Sequence, residues 1–110
     1  MEELLKNIKM FLKSAKLVYD SRDYTSATIL YFKSVFVILD YIIFRSEGKT
    51  PKDHSERFRI LEEGHPDLYL FLDKYFHIYR YTYSLKISKT QCDEVRRKAN
   101  EIIRQYKIPI

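Results

Sequence analysis

Residues 27–44, ATILYFKSVFVILDYIIF, form the longest apolar stretch in the chain, and few folds accommodate it. A membrane-spanning helix needs roughly 20 predominantly apolar residues with few or no charges. Lys33 and Asp40 interrupt this one and argue against a span. The two charges lie seven apart and share a helix face, and Ser26 and Glu47 continue the line in both directions. A polar stripe one residue wide leaves the rest of the circumference apolar, and such a helix is buried on most sides. The stretch therefore reads as the central helix of a bundle. A small bundle normally buries an apolar stripe of ~100° per helix. Phe32, Phe36, Ile43 and Phe44 are in excess of that stripe and need a further surface. Either a second copy of the chain covers them, giving a homodimer through the 22–46 helix, or neighbouring helices of the same chain do. The sequence favours the homodimer.

The remainder of the chain fits the same architecture. Two Gly and three Pro give too few turn residues for an all-β fold. Apolar residues at 45% suit a folded core, and 32% charged residues argue against a membrane protein. Residues 2–19 repeat apolar side chains at three- and four-residue steps (Leu4, Leu5, Ile8, Phe11, Leu12, Ala15, Val18) and predict helix one. Helix two spans 22–46, with Asp20, Ser21 and Asp23 as possible N-caps. Gly48 is its expected C-cap, and Pro51 blocks continuation. Asp53 followed by Glu56 fits a capping box for a short helix over 54–63. Pro66 suits the first turn of helix three, 66–84, and Ser88 caps helix four, 88–107. The fold expected is all-α, an up-and-down bundle of four long helices plus one short helix. Residues 1–110 are expected to form a single domain.

Composition and spacing also narrow the chemistry. One cysteine excludes an internal disulfide, and with no leader pattern visible the expected home is a reducing cytoplasm. Cys92 lies on the apolar seam of helix four and reads as a buried thiol. His54, His65 and His77 include no i,i+4 pair, so no metal site is expected. Two glycines cannot build a phosphate-cradling loop, and no cofactor is expected. The net charge is +5. Residues 86–107 carry seven Lys/Arg against three acids, a net of +4. That helix either meets phosphate or is a solvated face; Asp93 and Arg97, at i,i+4, look like surface pairing. Two polar groups remain. Asp73, His77 and Arg80 form one line on helix three, where an Asp–His hydrogen bond beside an Arg suits a phosphate. His54, Arg57, Arg59 and His65 surround the short helix, with Arg59 and His65 placed to face one groove.

Several segments together resemble the HEPN superfamily of small prokaryotic helical bundles. AKLVYDSRDYTSA resembles its first helical hairpin, and YFKSVFVILDYIIF its long apolar second helix. PKDHSERFRIL resembles a following short segment, and YRYTYS with QCDEVRRKANEII the last helical pair, with Ala99 at the small position. The resemblance covers nearly the whole chain. It implies a four- or five-helix bundle that dimerises, often beside a small nucleotidyltransferase and in toxin–antitoxin pairs. Some members are metal-independent ribonucleases, using an Arg, a gap of four to six residues and then a His, ahead of the last helix. Here Arg80 has no such His, and Tyr83 stands nearest. Arg59 and His65 meet the spacing but precede helix three. The leading expectation is a non-catalytic homodimeric binding module for a nucleotidyltransferase, a nucleotide or RNA. Arg80, Tyr83, His54 and Arg57 are its expected binding contacts. The alternatives are a toxin-type endoribonuclease using Arg59/His65 or Arg80/His77, and a purely structural dimeric scaffold.

Overall fold

Helix boundaries follow the capping chemistry closely. The computed structural model describes residues 2–110 and gives five helices: α1 (Glu2–Asp20), α2 (Tyr24–Glu47), α3 (His54–Gly64), α4 (Pro66–Tyr81) and α5 (Lys89–Gln105). No described residue is in a strand, and the fold is all-α. Asp23 caps α2 by accepting the Ser26 N–H at 3.0 Å. Gly48 ends it in the left-handed region (φ 76°), its N–H donating to the Phe44 carbonyl at 2.8 Å. Asp53 accepts the Glu56 N–H at 2.8 Å, but the Glu56 carboxylate reaches back to the Lys52 N–H, one residue short of a true capping box. The complete capping box is at Ser88, where Gln91 supplies the reciprocal bond.

The predicted third and fourth long helices are each slightly too long. α4 stops at Tyr81 because Thr82 Oγ1 donates to the Tyr79 carbonyl at 2.6 Å and the next two amides turn back on Arg80 and Tyr81. Such i→i+3 bonds tighten a last turn and end the helix. The loop that follows is tied to α2 by the Ile87 N–H, which donates to Thr25 Oγ1 at 2.9 Å.

α2 packs against each of the other four helices. Its Phe32, Val35, Ile38, Leu39 and Ile43 have no exposed surface, and Phe36 is almost as deep. Phe44 is half-buried. Three of the four side chains that called for an outside surface are thus enclosed by helices of their own chain. The excess apolar circumference is taken up by wrapping a long helix on several sides. By length and composition alone α2 could cross a membrane, with mean hydropathy 1.8 over its most apolar window, so Lys33 and Asp40 do not exclude a span by themselves. Most of that window, 61%, is buried inside the bundle, as in a core helix.

Polar atoms in this core are satisfied locally. Thr28 and Ser34 donate to the carbonyls of Tyr24 and Leu30, one turn back. Cys92 is buried as expected, and burial pushes its thiol up. Polar links join the helices at the rim. The Tyr19 hydroxyl donates to Asp93 at 2.5 Å, the Tyr106 hydroxyl donates to Asp67, and Arg45 reaches the Tyr106 carbonyl at 2.8 Å.

Truncating Phe32 to Ala is expected to cost about 3–5 kcal/mol. Ser88→Ala should cost about 1 kcal/mol, and Met10→Ala, on the surface, under about 0.5 kcal/mol. Urea unfolding of the three variants checks this order.

Candidate functional site

Asp40 sits inside the most apolar stretch of the chain and has to be paired, because an unpaired charge at such a position is costly. The partner comes from α3. Arg57 donates from Nε to Asp40 Oδ1 at 2.7 Å and from Nη2 to Oδ2 at 3.0 Å, a bidentate fork. Its side chain is 9% exposed and that of Asp40 15%. The third guanidinium nitrogen, Nη1, lies 2.7 Å from His54 Nδ1. Arginine can only donate, so Nδ1 accepts and the imidazole proton is on Nε2. The guanidinium also stacks over the Phe36 ring at 5.1 Å. His54 rests with its ring edges against Phe36, Phe76 and Tyr79, while its outer side is exposed.

The aromatic floor continues from there. Tyr79 packs on Phe32, Phe36 and Phe76, and its ring meets Tyr83 edge-on with the hydroxyls 3.3 Å apart. That hydrogen bond, with burial, pushes the Tyr79 phenol up to about 12. Tyr83 itself is 79% exposed. On the other side of Arg57 is an open cleft of about 230 Å³, lined by Phe11, Lys33, Phe36, Val37, Asp40 and Arg57.

Of the four expected binding residues, His54 and Tyr83 are exposed and each meets the Tyr79 ring, while Arg57 is buried behind His54. Arg80 is exposed on α4 and makes no ion pair or side-chain hydrogen bond among the described residues. The expected Asp73–His77 hydrogen bond is not formed, and the His77 ring instead meets Tyr81 edge-on at 5.5 Å. Arg59 pairs with Glu63 at 3.5 Å, and His65 Nε2 lies 3.3 Å from Ser46 Oγ, so each of this pair is turned to a separate partner. Asp93 pairs with Lys89 at 3.0 Å and Arg97 with Glu101 at 3.0 Å, not with each other. No cluster of metal-ligating side chains occurs among the described residues.

Sequence reading missed Asp40 as the centre of the cluster. The available signal was a lone acid in an apolar run followed, 17 residues later, by an arginine on the next helix. Their convergence is set by the α2–α3 turn.

A HEPN domain model matches residues 1–108. The chain belongs to the HEPN family. No curated protein and no solved structure matches it. The suspected likeness of the first hairpin, the apolar second helix and the last helical pair thus extends over almost the entire chain. In this HEPN chain the Asp40–Arg57–His54 cluster ties α2 to α3.

Burial, and then the Arg57 charge, lower the His54 pKa below its ordinary 6.5. Well above pH 6.5 the imidazole is neutral in both folded and unfolded chains. As pH falls below about 6.5 the unfolded chain takes up the proton first. The contribution of His54 to stability is therefore full above that pH and is lost as pH falls toward the folded-state value. Two-dimensional NMR titration should place the His54 midpoint below 6.5, and Arg57→Met should move it back upward. Asp40→Asn leaves a buried guanidinium without its anion and should cost about 3 kcal/mol or more, measured by urea unfolding at pH 7.5.

Proposed function

We propose that residues 1–110 form a single, non-catalytic HEPN binding module that works as a homodimer. Its partner is a nucleotidyltransferase protein, or a nucleotide or RNA, held against the His54–Arg57–Tyr83 surface, with Arg80 at the rim. The observation that carries this reading is the state of Arg57. Its charge is already met by Asp40, and its remaining nitrogen orients His54. An arginine so committed is a poor clamp for a reacting phosphate but a good support for a fixed surface donor. His54 then offers a neutral Nε2–H above an aromatic floor, and Tyr83 a hydroxyl at the far side of the shared Tyr79 ring. Such a rigid donor and ring pair serves recognition at low entropic cost. Proton transfer is disfavoured, because Nδ1 is occupied and the imidazole pKa is depressed.

The dimer reading rests on the strip of α2 left uncovered between α1 and α3. Lys33 is exposed there, and Val37, Asp40 and Phe44 are half-buried, with Phe11 alongside. Lys33 and Asp40 are about 10.5 Å apart along the axis at 1.5 Å per residue. A two-fold axis sets residue i against j and j against i. An axis near Val37 sets the apolar side chains of the two strips against one another, with the exposed Lys33 at the edge and Asp40 held by its own Arg57. The family's habit of dimerising supports the same view, as does its frequent pairing with nucleotidyltransferases. A cytoplasmic location goes with this function.

Light scattering should give twice the 13.4 kDa chain mass, and Val37→Glu should return it to one chain. His54→Ala should leave the dimer intact and weaken capture of a co-expressed nucleotidyltransferase by roughly tenfold, the effect of one lost directional donor. Labelled RNA incubated with the protein and a chelator should stay intact. Cleavage abolished by Arg80→Ala or His65→Ala would establish the toxin-type endoribonuclease in place of this reading.

A further inference from the structure

The outer face of α5 carries a second polar site that shares no residue with the His54 cluster. Arg96, Asn100 and Arg104 stand four residues apart, so they share one side of the helix at steps of about 6 Å. With Asp93 and Arg97 they line an open cleft of about 290 Å³. The Arg96 guanidinium lies over the Tyr19 ring at 4.7 Å, which fixes the root of the row. The acids nearby are already engaged. Asp93 is held by the Tyr19 hydroxyl and by Lys89, and Glu101 by Arg97 and Lys98. Among the described residues, Arg96 and Arg104 have no acidic partner, and Arg96, Asn100 and Arg104 make no side-chain hydrogen bond. Two guanidinia without a salt-bridge partner, Arg96 in the field of the Lys89-bound Asp93 and Arg104 farther along, therefore run along a line with an amide between them, in a region of net charge +4.

We propose that this cleft binds the phosphodiester backbone of a nucleic-acid strand. Guanidinium groups match phosphate oxygens in a planar, bidentate fork, which a lysine ammonium cannot do. A row of donors on a helix suits a linear polyanion better than a single free phosphate. The lining holds no apolar side chain, so nothing in it would insert into a lipid surface. Asn100 supplies a neutral donor and acceptor between the two arginines, able to meet a phosphate or a sugar hydroxyl. The backbone is read by charge and spacing, and binding is independent of base sequence.

The test is fluorescence anisotropy with a labelled single-stranded RNA of mixed sequence, and the matching DNA strand, titrated with the intact chain at several salt concentrations. Each phosphate contact on a single strand contributes about 0.7 to the slope of log affinity against log salt. The Arg96→Gln/Arg104→Gln variant should lose about 1.4 of that slope and bind several-fold more weakly at low salt for every sequence tried. Lys6→Gln/Lys9→Gln makes the same charge change on α1 and should leave the slope unaltered. Arg104→Gln alone, at an exposed position, should lose about 0.7, which keeps the test valid if the Arg96 change disturbs packing on Tyr19. An unchanged slope, equal losses from the two double variants, or competition by polyglutamate equal to that by RNA at the same charge would each overturn the proposal. His54→Ala removes no charge and leaves the slope intact, so failure here and failure of the partner-binding reading are separable.

Discussion

Enclosure of α2 is the constraint from which the rest of the structure follows. One helix is apolar on nearly all sides, and it lies against every other helix in the chain. It holds more buried residues than any other described helix, and apolar burial stabilises at roughly 25 cal/mol per Å². Every polar group on α2 then needs a specific solution. Thr28 and Ser34 turn back on their own helix. Thr25 receives the amide of the α4–α5 loop. Asp40 cannot be satisfied within α2 at all, and that is why Arg57 is drawn into the bundle from α3.

The ion pair that results links packing to recognition. A buried pair of this kind contributes little net stability relative to a well-packed apolar pair, because desolvation offsets the attraction. Its larger consequence is geometric. The fork fixes the guanidinium plane, the plane fixes His54, and Phe36 supports both from below. A single acid in the core thereby helps to fix the orientation of an imidazole at the surface, while burial and the Arg57 charge hold that imidazole's pKa down. The α5 arginine row is built differently: Arg96 is anchored by its stack on Tyr19, and Arg104 has no acidic partner among the described residues.

Much of the helical layout was legible residue by residue. Asp23, Gly48, Asp53, Pro66 and Ser88 are local signals, since a cap satisfies amides or carbonyls within its own few residues. The largest differences fall where the local signal is weakest: three residues at Tyr81, where Thr82 closes the turn, and two at the start of α2 and the end of α5. The candidate site was only half legible. His54, Arg57 and Tyr83 stood out as residue types, but their placement depends on how α3 and α4 fold back over α2. Arg59 with His65, and His77 with Arg80, had equally plausible spacing. Nothing in their spacing reveals that Glu63, Ser46 and Tyr81 occupy their near neighbourhoods.

Alone, the order of residues determined an all-α chain, the approximate span of each helix and the membership of its core, because periodicity and capping act over one or two turns. It also carried enough of the HEPN pattern to suggest the family. Tertiary structure decided which helices enclose α2, and hence that Phe32, Phe36 and Ile43 are covered inside one chain. It decided as well that Asp40 meets Arg57 and that Asp93 meets Tyr19 across 74 positions. Such contacts join residues distant in sequence, and only the packing of whole helices brings them within hydrogen-bonding reach.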